Sequence, residues 1–329
     1  FAGSLWIAGT DVNNQLKCAA VRFRQDGNDF WTGPLTITGA AIDDVTCAQW
    51  DQIFNITRAQ VDEFLLHWDE ETNSVNTSDG YTIPKIIQEW PAHPEIVGTT
   101  TAGVSHYLAP FYDRNGDGEY NASDGDYPYY DIDNELCHTK IPTMEEEIRG
   151  TVHGSILADQ VLKGDQTLWW IFNDKGNSHT ESNGSPIGIE VRGQAFAFAT
   201  NDEINNMTFC SYEIINRSTY TLTGTYFCPW TDVDLGYGWD DFVGCDVQRG
   251  LGYGYNGNAI DGNGEPESYG DQPPAVGVDF FQGPYMDADQ LDNPKYSYNV
   301  TVSYVIDPVS NDTIETVYDT TNMTQLCDE

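Results

Sequence analysis

The densest run of chemistry-bearing residues is Asp113-Arg114-Asn115-Gly116-Asp117-Gly118-Glu119-Tyr120-Asn121-Ala122-Ser123-Asp124. Counted from Asp113, oxygen-bearing side chains stand at positions 1, 3, 5, 9 and 12, with glycine at position 6. A calcium ion takes six to eight hard oxygen ligands on a flexible frame. This spacing wraps such oxygens around one point, with position 7 offering its backbone carbonyl. The expected metal set is therefore Asp113, Asn115, Asp117, Glu119 and Asp124, and the expected cofactor is Ca²⁺. The competing reading of the same residues is an acidic loop of Asx turns that holds no ion.

Position 12 is Asp rather than Glu, so the segment resembles dockerin-type loops. Pro110 precedes the loop and Pro128 follows it, so two long flanking helices are not expected and the site reads as structural rather than as a sensor. A second, less complete set is Asp232, Asp234, Asp240 and Asp241, alternating carboxylates that lead to Cys245-Asp246. Its competing reading is a solvated loop. Asp126, Asp131 and Asp133 extend the first set, whereas Asp261-Gly262-Asn263-Gly264-Glu265 reads as a solvated loop.

Catalytic motifs are sparse. Gly252-Tyr253-Gly254-Tyr255-Asn256-Gly257 matches G-x-G-x-x-G, but Tyr, Asn and Gly turn sequence surrounds it and no helix is expected after it. There is no G-x-S-x-G elbow, H-E-x-x-H helix or P-loop. The six histidines are dispersed, and none stands at zinc spacing from a cysteine. A glycosidase needs only two suitably separated carboxylates, so the acid-rich sequence leaves that chemistry open. Trp90 and Trp169-Trp170 suit either sugar stacking or an aromatic core. The expectation is a non-enzyme.

The elements that must carry these residues read mostly as β. Ser4–Ala8 and Leu16–Arg22, with turn chemistry between them, predict an opening hairpin. Gln166–Phe172, Ile187–Thr200, Met207–Asn216 and Tyr220–Trp230 are rich in aromatic and β-branched residues and predict successive strands. Ser297–Ile306 and Thr313–Tyr318 predict two more. One helix is expected over residues 57–68, where Thr57 and Gln60 form a capping box and Val61, Phe64, Leu65 and Trp68 share a face. A second, short helix is expected between Pro84 and Pro91. Gly250–Pro274 reads as turn material. If Asn216-Arg217-Ser218-Thr219 turns a hairpin, Cys210 and Cys228 lie opposite each other, as a disulfide or as an open thiol pair.

The expected fold class is mainly β, an Ig-like β-sandwich with a loop-rich insertion carrying one or two short helices and the calcium loop. Residues 1–35 supply its first strands, 36–150 the insertion, 151–250 the main strands, and 251–329 a loop-rich region with edge strands. Composition bounds the function. Acids outnumber bases 52 to 14, giving a formal charge of −38, so nucleic acid and anionic membrane surfaces are excluded as partners. With 9 Trp, 19 Tyr and 14 Phe, the chain is not a disordered acidic tail. Apolar runs are too short for a transmembrane segment. Seven cysteines without a C-x-x-C suit an oxidising compartment.

The start at Phe1 and the stop at Glu329 read as a processed chain or a piece of a longer one. Sequons stand at Asn55, Asn76, Asn121, Asn183, Asn206, Asn216, Asn299, Asn311 and Asn322; at Asn121 a glycan and the calcium role exclude each other.

Several segments taken in order resemble a known group. They are Gly3–Gly9, Asn28–Leu35, Trp90-Pro91-Ala92-His93, the Asp113–Pro128 loop, Trp169–Asp174, Gly188–Val191, Tyr226–Gly236 and Asp240–Asp246. The order resembles large secreted or cell-surface proteins of Bacteroidota exported by type IX secretion, some of them associated with gliding or adhesion. Their C-terminal sorting domain is not recognisable in these residues. The resemblance implies export, surface attachment or release, and no established catalysis. It also implies O-glycosylation acceptors at Thr313 and Thr320. The expected function is an extracellular calcium-stabilised structural or adhesive protein that associates with itself, by strand exchange between subunits of a surface filament, or with cell-surface partners. The alternatives are a carbohydrate-binding or carbohydrate-active module, and a component of secretion or gliding machinery.

Overall fold

The computed structural model describes residues 2–22, 27–130, 161–281 and 283, and the backbone of Tyr296–Ile306 and Thr313–Gln325. The protein is mainly β, with several antiparallel sheets. It divides into two compact units, each discontinuous in sequence. One comprises Phe1–Asp29, Ser178–Pro186 and Tyr220–Asn293; the other comprises Phe30–Asn177, Ile187–Thr219 and Pro294–Glu329. These boundaries cut across the four sequence segments: 151–250, for example, supplies residues to both units.

In the first unit, the expected hairpin forms between Ala2–Thr10 and Leu16–Ala19. The carboxylate of Asp11 shapes its turn by accepting the N–H groups of Asn13 and Gln15. The other side of Ala2–Thr10 pairs with Thr223–Asp232. Leu5 and Ile7 are buried on one face of the strand. On the other face Trp6 stacks on its diagonal neighbour Trp230, with ring centroids 5.9 Å apart. A second antiparallel sheet joins Asp241–Asp246, Leu251–Asn256 and Ala275–Val278.

Two expectations fail here. Phe209–Asn216 pairs with Ile189–Ala197 in the other unit's sheet, whereas Thr223–Asp232 pairs with Ala2–Thr10. The two strands form no hairpin, so Cys210 and Cys228 are not opposite each other, and both are free thiols. Arg217, between the two strands, forms a buried ion pair with Glu190 on the neighbouring strand of the second unit's sheet. The Gly250–Pro274 stretch also contains a strand, Leu251–Asn256, whose alternating Gly and Tyr follow the two-residue period of a sheet.

The second unit is built on the sheet Phe209–Asn216, Ile189–Ala197, Gln166–Asn173 and Trp31–Thr32, with Phe54–Thr57 also pairing to Gln166–Asn173. Alternation along Gln166–Asn173 sends Thr167, Trp169, Ile171 and Asn173 inward. Trp169 meets Trp50, Phe54 and Trp90 at centroid distances of 6.1–6.5 Å. The buried indole N–H groups of Trp50 and Trp90 donate to Thr99 Oγ1 and to the Pro110 carbonyl.

The expected helix is present as Arg58–Leu66, with Thr57 as N-cap and the capping box to Gln60 formed. Val61 and Phe64 enter the core, but Trp68 lies past the helix, on the short strand Trp68–Asp69. The short helix after Pro84 is Lys85–Gln88. A further helix, Asp44–Gln49, was not anticipated; its Asp43 cap is visible in the sequence, but six residues are too few to display a periodicity. No helix among the described residues is long and apolar enough to cross a membrane.

Trp169→Ala should cost about 3–5 kcal/mol in urea denaturation, the usual range for emptying a large aromatic site. Trp239→Ala, at a residue 89% exposed, should change stability by less than about 0.5 kcal/mol.

Candidate functional site

The Asp113–Asp124 loop is closed by a two-residue ladder, Phe111–Tyr112 against Tyr127–Pro128. Aromatic packing fixes that base, with Tyr112 stacked on Tyr127 at 5.1 Å. The middle of the loop is fastened by Tyr120, whose buried ring meets Phe111 edge-on and whose hydroxyl donates to the Ile87 carbonyl. Arg114 leans over the Trp68 ring, 4.6 Å from its centroid, and pairs with Glu70.

Inside the loop the acidic side chains hold the backbone. Asp113 accepts N–H groups from Gly116 at 2.7 Å and Gly118 at 2.8 Å through its two oxygens. Asn115 Oδ1 accepts from Asp117 N–H, and Asp117 Oδ1 accepts from Glu119 N–H. Asn121 Oδ1 accepts from Ser123 N–H, and its amide donates to Asp124 Oδ2. Gly116 and Gly118 take positive φ values of 75° and 84°, which a side chain would resist. All five expected residues thus lie on one compact turn series. Their carboxylates are spread along it: no three of them bring oxygens within 4.8 Å of one another.

Asp126, two residues beyond the expected set, is fully buried. It accepts N–H groups from Arg114 at 2.9 Å and Asn121 at 2.8 Å, tying the two ends of the loop. Burial pushes its carboxyl up to about 6; the two backbone donors oppose that, and the charges of Asp113 and Asp117 reinforce it.

Beside the loop, His93 and His106 stack with centroids 4.0 Å apart. They are brought together where Leu108 N–H bonds to the Ala92 carbonyl and Ala109 N–H to the Pro91 carbonyl. His93 bonds through Nδ1 to the His106 carbonyl and through Nε2 to the Tyr120 N–H. Burial and the neighbouring His106 lower its pKa to about 4, so it is neutral at pH 7. His106 Nε2 lies 3.5 Å from Glu119 Oε1. The sequence carries no signal of this grouping, because the two histidines stand at no metal-motif spacing.

The second acidic set is a network of turn acceptors. Asp232 ends a strand and Asp234 is exposed. Asp241 Oδ2 accepts from Leu235 N–H, and Asp240 Oδ2 accepts from Gly262 N–H and the Asn258 amide. The residue that organises the region is Asp261, which is buried and accepts from Tyr237 N–H and Tyr269 N–H. It was expected in a solvated loop, and a lone Asp among glycines carries no signal that distinguishes the two.

Among the sequons, Asn55, Asn76, Asn206 and Asn216 are exposed. Asn299 and Asn322 are backbone partners in one two-stranded sheet, whose second strand also carries Thr313 and Thr320. Asn311, Asp131 and Asp133 lie outside the described residues. Trp90 and Trp169 are buried in the core and do not face sugars. Gly252–Asn256 lies in the middle strand of a sheet rather than at a strand-to-helix turn. Comparison with protein-family models, with curated proteins and with solved structures found no match.

The raised Asp126 carboxyl has a definite pH consequence. Its folded value, about 6, exceeds its ordinary 3.8. The folded chain therefore binds the extra proton first, and this contribution to stability is complete below about pH 4 and lost as pH rises through about 6. His93, shifted the opposite way, loses stability as pH falls over nearly the same window. The informative quantity is therefore the difference between proteins. In calcium-free buffer, Asp126→Asn should lose less stability than the parent between about pH 4 and 7, measured by urea denaturation.

Proposed function

We propose that this chain is an extracellular, calcium-stabilised structural or adhesive protein, with its sheets arranged as an Ig-like β-sandwich. The observation that carries the reading is the Asp113–Asp124 loop, whose turns are already formed by Asp113, Asn115 and Asp117. Each turn-forming oxygen keeps a lone pair for an ion, and the Glu119 carbonyl and the Asn121 and Asp124 side chains supply further oxygens. The carboxylates must close in around the ion, and the flexible coordination of calcium tolerates such adjustment. A bound divalent cation would also relieve the repulsion among Asp113, Asp117 and Asp126. The net charge of −38 favours a calcium-rich setting outside the cell.

Assembly by strand exchange, with further copies or with cell-surface partners, is part of this reading. Phe209–Asn216, Asp241–Asp246 and Ala275–Val278 are terminal strands of their sheets among the described residues, and such edges are templates for an added strand. Electron micrographs of native material containing only monomers would contradict the assembly. The likeness to type IX secreted proteins belongs to the same proposal. It makes no catalytic assignment, and it leaves a role beside secretion or gliding machinery as a variant distinguished by co-purification.

One observation favours a second reading, carbohydrate binding. Phe242, Tyr253 and Tyr255 are exposed and adjacent on one sheet, with centroid distances of 6.0–6.2 Å. A glycan array without signal removes it.

Thermal denaturation tests the leading reading. Calcium at about 100 times its dissociation constant should stabilise the chain by about 2.7 kcal/mol, and EDTA should reverse this. Asp113→Ala should abolish the calcium response. An identical Tm in calcium and EDTA would contradict the proposal.

A further inference from the structure

We propose that the side chains of His106, Glu119 and His93 form a binding site for a divalent transition-metal ion of the zinc class, distinct from the calcium site and sharing with it only the residue Glu119, through a different atom. Among the described residues, these three side chains bring one donor atom each within 4.8 Å of one another. Nitrogen and carboxylate donors in this ratio suit a borderline ion, whereas calcium takes oxygen alone.

The central observation is His106 Nε2, which is buried and has no hydrogen-bond partner. The nearest acid, Glu119 Oε1, is 3.5 Å away, longer than an ordinary N–H···O bond. Two ligands at about 2.0–2.1 Å from a tetrahedral ion stand about 3.4 Å apart, so the gap suits a shared metal better than a shared proton.

His93 is preset as a third ligand. Its Nδ1 lies 2.7 Å from the His106 carbonyl, where only the protonated nitrogen bonds, so Nε2 carries the lone pair. This is the outer-shell arrangement that orients ligating histidines. That lone pair accepts the Tyr120 N–H at 2.9 Å, so metal binding takes the lone pair over and releases the Tyr120 amide. Entry is open through Glu119, whose side chain is 64% exposed. In the calcium reading Glu119 contributes its backbone carbonyl, so its carboxylate is available here. A metal at this point pins the acidic loop to the His93–His106 segment.

The test is a Zn²⁺ titration of the full chain in excess calcium, followed by calorimetry and by NMR of the imidazoles and the Tyr120 amide. One equivalent should bind, shifting both histidine rings and the Tyr120 amide together. His106→Ala and Glu119→Gln should each weaken binding more than about 10-fold, as even outer-shell losses do. Should His106→Ala fail to fold, Glu119→Gln decides, because its exposed side chain leaves the core intact. Absence of binding overturns the proposal, as does binding that leaves the rings unshifted or survives Glu119→Gln undiminished.

Discussion

A carboxylate accepting two or more backbone N–H groups is the interaction on which this structure depends. Asp11, Asp29, Asp113, Asp126, Asp174 and Asp261 are all buried, and each does this. The reason lies in the composition. Fourteen lysines and arginines cannot neutralise 52 acids, and a buried charge without partners is too costly to keep. Backbone N–H groups in turns supply the missing positive ends. Long loops thereby become ordered without a helix or strand of their own, because each carboxylate satisfies donors that would otherwise be orphaned.

Glu190 is the exception that marks where arginine is used instead. It is buried on the central strand Ile189–Ala197, and its Oε1 accepts from both Arg192 and Arg217. Burial works against its charge, but the two guanidiniums outweigh that and hold its carboxyl below the usual range. Its other oxygen accepts the Leu35 N–H. Asp126 represents the opposite case. It has only backbone donors, and two further acids stand near it, so its ionised form is strained. The turns fix the loop's backbone, and in the proposed reading a bound cation would offset this electrostatic cost.

Local features were legible in the sequence, and distant ones were not. The Thr57–Gln60 capping box, the opening hairpin and the main strands follow from side-chain pattern and turn chemistry, which act over a few residues. The pairing of Ala2–Thr10 with Thr223–Asp232 leaves no local trace, since alternation states that a strand has a buried face but not which strand lies beside it. That missing information misplaced Cys228 opposite Cys210. The acidic loop was recognisable from its spacing, with Asp126 as an extension of it, but the burial of Asp126 and Asp261 was not, because burial of an aspartate depends on which backbone N–H groups the fold delivers to it. His93 and His106 meet through the contact of Ala92 with Leu108, again a product of tertiary structure.

The account's central claim is that the turns of the acidic loop prepare a calcium site. Anomalous scattering from crystals grown with calcium tests it most directly. The account predicts a peak about 2.3–2.6 Å from oxygens of Asp113, Asn115 and Asp117 and from the Glu119 carbonyl. A loop that keeps its turns with no peak at its centre would contradict it.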